Sequence, residues 1–269
     1  MNAKLATILL TCLVLAAAPR SGFGRPQAPS ANGPTVGQGK SQGDEFSKLI
    51  ARLQSKSADD RRQAVDELAD KGDVRAVEPI IGLLKDSAGD VRAAAANALG
   101  QLGDRRAVEP LLAVLSGDTA EFVRGAAARV LGQLGDPKAV EPLVVALRDS
   151  SSSVCASAAM GLGTLKDAKA VQPLLREIRN DAPDMRAAVA TALGDIRDKR
   201  AVEPLMQSLL DEFKRDDSRM VKLATALALA DLGDKRAIRA LNDALAIEKD
   251  EETRSQMKEA LKRLSASPD

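Results

Sequence analysis

The chain contains no histidine, no tryptophan and no tyrosine, and it has two cysteines in 269 residues. Without histidine there is no Ser–His or Cys–His nucleophile pair, and zinc or iron sites of the usual imidazole kind are excluded. The missing Trp and Tyr leave aromatic residues at 1%, so there is no platform for stacking bases. A net charge is missing too: 39 basic side chains face 38 acidic ones, and no long-range field steers the protein to nucleic acid or to an anionic membrane. The repeated Gly-Asp is a helix stop and a turn, without the Lys-Ser or Lys-Thr that would follow in a phosphate cradle. What remains is 45% apolar and dominated by Ala, Leu, Glu, Lys and Arg, a composition that favours helices around an aliphatic core.

The amino terminus reads as an export signal over residues 1–18. Lys4 supplies the positive start, Leu5 to Ala18 an apolar run, and Ala16-Ala17-Ala18 the small residues a peptidase needs. The run is shorter than the roughly 20 residues of a membrane-spanning helix, which argues against an uncleaved anchor. Leu9-Leu10-Thr11 before Cys12 lacks the small residue of a lipoprotein signal. Once the signal is removed only Cys155 is left, so no intrachain disulfide forms. Residues 19–43, rich in Gly, Pro, Ser and Gln, are expected to be a flexible linker.

From there a phrase recurs. Gly103-Asp104-Arg105-Arg106-Ala107-Val108-Glu109-Pro110 has counterparts ending at Pro79, Pro142, Pro173, Pro204 and, in degraded form, Ala240, at steps of 31, 32, 31, 31 and 36. Self-similarity at a fixed period is the signature of a stacked array. Each unit holds two apolar-periodic helices. Val91, Ala95, Ala98, Leu99 and Leu102 share a face of one, which stops at Gly103. Pro110 marks the first turn of the other, so Asp104 to Val108 is expected to be a separate tight turn of 3₁₀ type. Residues 44–265 make about seven units, partial at both ends, and 266–269 a tail.

Aligned units give columns. Leu68, Leu99, Leu131, Leu162, Leu193, Leu229 and Leu261 form one on the first helices. Leu84, Leu115, Leu147, Ile178, Leu209 and Leu245 form a buried seam on the second. Beside the first column stand Ala69, Gly100, Gly132, Gly163, Gly194 and Ala230. A helical glycine costs about 1 kcal/mol relative to alanine, and its repetition predicts close helix approach.

Val-Arg followed by Ala-Leu-Gly, then Leu-Gly-Asp and Ala-Val-Glu-Pro-Leu, resembles HEAT repeats of the phycobilisome-lyase type over residues 45–265. The resemblance implies an all-α, right-handed α-solenoid of stacked antiparallel helix pairs, armadillo-like, with the second helices on its concave face. It also implies an inter-repeat ladder between Asp104, Asp136, Asp167 and Asp198 and the arginines Arg92, Arg124 and Arg186. The family includes bilin lyase subunits, metal-dependent hydroxylases and plain scaffolds, so fold alone does not choose the function. The hydroxylases hold iron through His-Glu pairs, which this chain lacks.

Cys155 takes the place of Arg92, Arg124 and Arg186 in its unit. That column is expected to be partly exposed at a helix start, where a thiol pKa is lowered. With no base beside it, Cys155 reads as a tolerated substitution rather than a nucleophile or a bilin-attaching thiol. The basic column Arg75, Arg106, Lys138, Lys169, Arg200 and Arg236 runs beside aspartates, which argues against a phosphate-binding stripe. Where the units differ yet stay exposed is on the second helices: Glu109, Ala113, Glu141, Val145, Gln172, Arg176, Glu203 and Gln207 form the expected binding strip. The sequence therefore predicts an exported, monomeric, non-catalytic scaffold for a protein partner, without cofactor, metal, nucleic acid or membrane insertion. The alternative is a lyase- or chaperone-like subunit acting on a tetrapyrrole or a protein.

Overall fold

A computed structural model describes residues 38–214 and 218–266. The expected signal lies outside the described residues. So does most of the expected linker, although helix α1 begins inside it, at Gln38. Pro34 is the last proline before α1, so no fixed φ or missing N–H blocks the helix from that point.

The compact unit of residues 43–269 is built of helices, with no strand among the described residues. They run α1 (Gln38–Arg52), α2 (Ala58–Asp70), α3 (Val77–Gly82), α4 (Gly89–Leu102), α5 (Val108–Gly117), α6 (Glu121–Leu134) and α7 (Val140–Ala146). There follow α8 (Ser152–Leu165), α9 (Val171–Arg176), α10 (Pro183–Ile196), α11 (Val202–Lys214), α12 (Arg219–Leu232), α13 (Ala237–Ile247) and α14 (Glu251–Ala266). Even-numbered helices are the first of each repeat and odd-numbered ones the second. The architecture is the α-solenoid that the sequence predicts.

The recurring phrase folds as expected. Helix α4 stops where Gly103 takes a left-handed conformation at φ 68°, and its N–H returns to the carbonyl of Leu99. Lys166 and Arg197 adopt the same conformation without being glycine, at φ 56° and 61°. Next comes a single 3₁₀ turn, Arg105–Ala107, opened by Asp104, whose side chain accepts from the Arg106 N–H at 2.9 Å. The α-helix then restarts at Val108, with Pro110 in its first turn, where a missing N–H leaves no bond unmade. The same aspartate cap recurs at Asp73, Asp136, Asp167 and Asp198.

Both leucine columns enter the core. Leu68, Leu99, Leu131, Leu162, Leu193 and Leu229 have no exposed surface, and burying one such side chain stabilises by about 1.5–3 kcal/mol. Leu84, Leu115, Leu147, Ile178 and Leu209 are buried between repeats. The last members, Leu245 and Leu261, are only partly buried, because the array ends beside them.

Successive even helices pack closely along their lengths, whereas successive odd helices, most of them shorter, touch sparingly. Glycine explains the closeness. A Cβ built on Gly132 would lie 2.5 Å from the Cα of Gly161, on Gly163 2.7 Å from the Cα of Ala192, and on Gly194 2.8 Å from the Cα of Ala228. At Gly100 the neighbour is a side chain, with Val130 Cγ2 at 2.9 Å. The closely packed layer is thus the even one.

Gly132→Ala should lower the unfolding free energy by about 2 kcal/mol through overpacking against backbone. Gly82 is the contrasting site: it has ordinary helical angles, and an added Cβ would meet nothing within 4 Å. Gly82→Ala should raise stability by about 0.5–1 kcal/mol. Chemical denaturation of the two variants checks both signs.

Candidate functional site

A charged thread runs along one edge of the array, and it differs from the expected ladder. Arg92, in the first turn of α4, reaches Asp118 after α5, with Nε–Oδ2 2.6 Å and Nη2–Oδ1 2.8 Å. The same fork joins Arg61 to Asp86 and Arg124 to Asp149. In each rung the third guanidinium nitrogen, Nη1, donates to the backbone carbonyl six residues earlier, as from Arg92 to Asp86 and from Arg124 to Asp118. Asp86 and Asp118 therefore serve two arginines each, one through the carboxylate and the next through the carbonyl. Each aspartate also accepts the N–H two residues on, as Asp118 does from Ala120.

The Asp104 column, expected as the acidic half of this ladder, has another role. Asp104 and Asp198 cap their 3₁₀ turns and pair with Arg106 and Arg200 two residues on. Asp136 and Asp167 cap the turns of Lys138 and Lys169. The physical reason is reach: a carboxylate that is folded back onto its own turn is satisfied there, and the arginine meets the aspartate at the entry to the following repeat. Spacing could have found that aspartate, since it lies 25 or 26 residues after one arginine and six before the next.

At the irregular step the acid comes from a helix instead of a loop. Arg186 meets Glu212 on α11 at 2.8 Å, with both side chains 2% exposed. Lys222 follows with Glu248 at 3.4 Å and lies 4.4 Å from the centre of the Phe213 ring. The hydrogen-bonded guanidinium of Arg61, Arg92 or Arg124 holds the carboxyls of Asp86, Asp118 and Asp149 below the usual carboxylate range, against a smaller opposing effect of burial. Arg236 does the same for Asp234, down to about 2.

Cys155 departs from expectation. It is buried, its Sγ donates to the carbonyl of Asp149 at 3.2 Å, and burial followed by the nearby Asp149 charge pushes the thiol pKa up, not down. A raised pKa leaves little thiolate, and a buried structural thiol is inert.

The eight residues of the expected strip all lie exposed on odd helices: Glu109 and Ala113 on α5, Glu141 and Val145 on α7, Gln172 and Arg176 on α9, Glu203 and Gln207 on α11. Spacing of four places each pair on one helical face. Val145, 74% exposed, is the most exposed large apolar side chain among the described residues. Glu109 is tied to Lys138 at 2.8 Å and Gln207 to Asp211 at 3.0 Å. Glu141, Gln172, Arg176 and Glu203 have no side-chain hydrogen bond or ion pair among the described residues. The even helices carry a different exposed feature: Phe122 on α6, seated over Gly89, and Met160 on α8, 50% and 44% exposed. Among the described residues no cluster of acids and cysteine is arranged to hold a metal ion, and no helix is long and apolar enough to cross a membrane.

The family model described as HEAT repeats matches residues 46–132, 108–184, 140–216 and 174–262. Among solved structures, the chain is similar to the complex of CpcE and CpcF of phycocyanin lyase from Nostoc sp. PCC7120. That match has a TM-score of 0.55 and 20% identity, and covers 89% of this chain and 99% of the other. It is also similar to importin beta, with a TM-score of 0.60 and 15% identity over 87% of this chain and 39% of the other. Both likenesses are of fold. No curated protein matches the sequence significantly.

The thread predicts two outcomes. Arg186→Met alone strands the buried Glu212 carboxylate and should cost about 3–5 kcal/mol, whereas Arg186→Met with Glu212→Leu should recover most of that loss. Thermal or urea unfolding of the single and double variants measures the difference. The second outcome concerns acid. The folded carboxyl pKa values are depressed, so their contribution is complete above the unfolded value of about 4 and is lost as pH falls through the folded value. Stability should therefore drop as pH falls below about 4, and less steeply in Arg92→Met with Asp118→Asn; equal slopes would mean that Arg92 does not hold the Asp118 charge.

Proposed function

The chain belongs to the HEAT-repeat family, and on that premise we propose that it is an exported, non-catalytic scaffold that docks a protein partner on the face of its odd helices. The observation that carries this reading is the row of exposed polar side chains in the central strip that the fold itself does not bond. Glu141, Gln172, Arg176 and Glu203 stand exposed with no internal side-chain hydrogen bond or ion pair among the described residues, around the bare Val145. Charges with internal partners stabilise a fold; charges in a row without them are available to something else. A solenoid repeats the same helical position from unit to unit, which turns separate side chains into one strip. Arginine is enriched among binding hot spots, and Arg176 is the large side chain at the centre of this one. The partner would bring a basic portion to Glu141 and an acidic group to Arg176.

Exposed Phe122 and Met160 favour a second reading of where docking happens, on the even helices. Exposed apolar side chains in adjacent repeats mark contact surfaces when they adjoin one another. The activity alternative, a lyase- or chaperone-like subunit, draws on fold likeness alone, and a spectral titration with bilin tests it by the appearance of a bound-pigment band.

With a partner captured from the envelope fraction of the producing cell, Glu141→Lys together with Arg176→Ala should weaken binding at least tenfold, about 1.4 kcal/mol. Arg129→Ala with Gln133→Ala, on the even helices, should leave affinity unchanged. If Phe122→Ser with Met160→Ser abolishes binding and the first pair does nothing, the partner sits on the even face instead. Export has its own check. Amino-terminal sequencing of the protein from its cell should find a start between Pro19 and Gly24, and a start at Met1 would contradict export with cleavage.

A further inference from the structure

The charged thread is interrupted once, and on both sides of the gap together. From Arg61 to Asp149 every rung is an arginine–aspartate fork, and it resumes as Arg186–Glu212. At the intervening unit the arginine position holds Cys155 and the aspartate position holds Asn180, 25 residues later, the same separation as Arg124 and Asp149. Asn180 keeps two of the three aspartate roles. Its Oδ1 accepts from the Ala182 N–H at 3.0 Å, and its carbonyl accepts from Arg186 Nη1 at 2.8 Å. The third role, the link back to the preceding helix start, is gone: its Nδ2 donates to Glu177 at 2.9 Å instead. Cys155 in turn keeps only the bond to the carbonyl six residues earlier.

A buried aspartate without its arginine, or an arginine without its aspartate, would carry an uncompensated charge. Neutral Cys and neutral Asn avoid that cost as a pair, at the price of the tether. We infer that the array has a built-in joint at this unit: the segment from Glu177 to Arg186 lacks the charged tether from Asn180 to the start of α8, and it opens more readily than its counterparts in other repeats. Tight contact persists in the even layer, where Gly163 meets Ala192, so the opening is confined to the thread's edge and pivots on that contact. The joint lies directly after Arg176, and it lets the strip change pitch between the two halves of the array. It stands on the thread's geometry and holds whether or not that strip is the docking face.

Native-state hydrogen exchange on the full chain tests it. The amides of Asn180 and Arg186, bonded to the carbonyls of Glu177 and Ala182, should open at least tenfold more often than those of Asp118 and Arg124, their counterparts two repeats earlier. Restoring the rung with Cys155→Arg and Asn180→Asp together should suppress that opening tenfold or more, about 1.4 kcal/mol. Transplanting the gap, Arg92→Cys with Asp118→Asn, should create an equal opening at Asp118 and Arg124. Equal protection of the two segments in the unaltered protein overturns the inference, and so does a transplant that leaves protection unchanged.

Discussion

Everything else in this array depends on the close contact between successive even helices, which from Gly132 to Gly194 is a contact with main chain. At Gly132 and Gly161 the two helices come so close that a single methyl group would overlap the neighbouring main chain. Such closeness fixes the distance between repeats to within a fraction of an ångström, because close-packed interiors do not deform continuously. With that distance set, the leucines of the even helices fall into one layer and those of the odd helices into the next, and both are buried. The glycines are unfavourable for each helix alone and favourable only when a neighbour is present. Stability therefore resides largely between units rather than within them.

The charged thread is the second constraint, and it acts on a different edge. Close helix contact holds the even layer but leaves the loops after the odd helices unattached. The arginine forks tie each loop to the helix start before it, and the next arginine's bond to a carbonyl ties it to the helix after it. Depressed carboxyl pKa values record this attachment. The gap at Cys155 and Asn180 leaves one loop tied on one side only.

Much of this is legible in the sequence because a repeat presents its own comparison set. The fixed period, the proline at the helix start and the Gly-Asp stop dictate helix pairs and their 3₁₀ turns. The glycine column reveals close approach, since no solvated face has reason to lose stability repeatedly. For the ladder, the repeat points to the right arginines and the wrong aspartates. Asp104 is conspicuous beside the recurring phrase, but its carboxylate is consumed by its own turn and by Arg106. Asp118 sits in a loop outside that phrase, and its signal is the quieter one of spacing, 26 residues after Arg92 and six before Arg124. Cys155 misleads as well: a helix-start position looks exposed in sequence, whereas the fold buries it against the carbonyl of Asp149. The eight strip residues fall on an exposed face as expected, because a spacing of four on a helix needs no tertiary information.

The central claim, that interfaces between repeats carry the stability, is tested most directly by unfolding nested fragments of residues 43–150, 43–181 and 43–269 in urea. The account predicts that the unfolding free energy rises with each added unit and that the shortest fragment is the least cooperative. A shortest fragment as stable as the full array would contradict it, since each unit would then hold itself together without its neighbour.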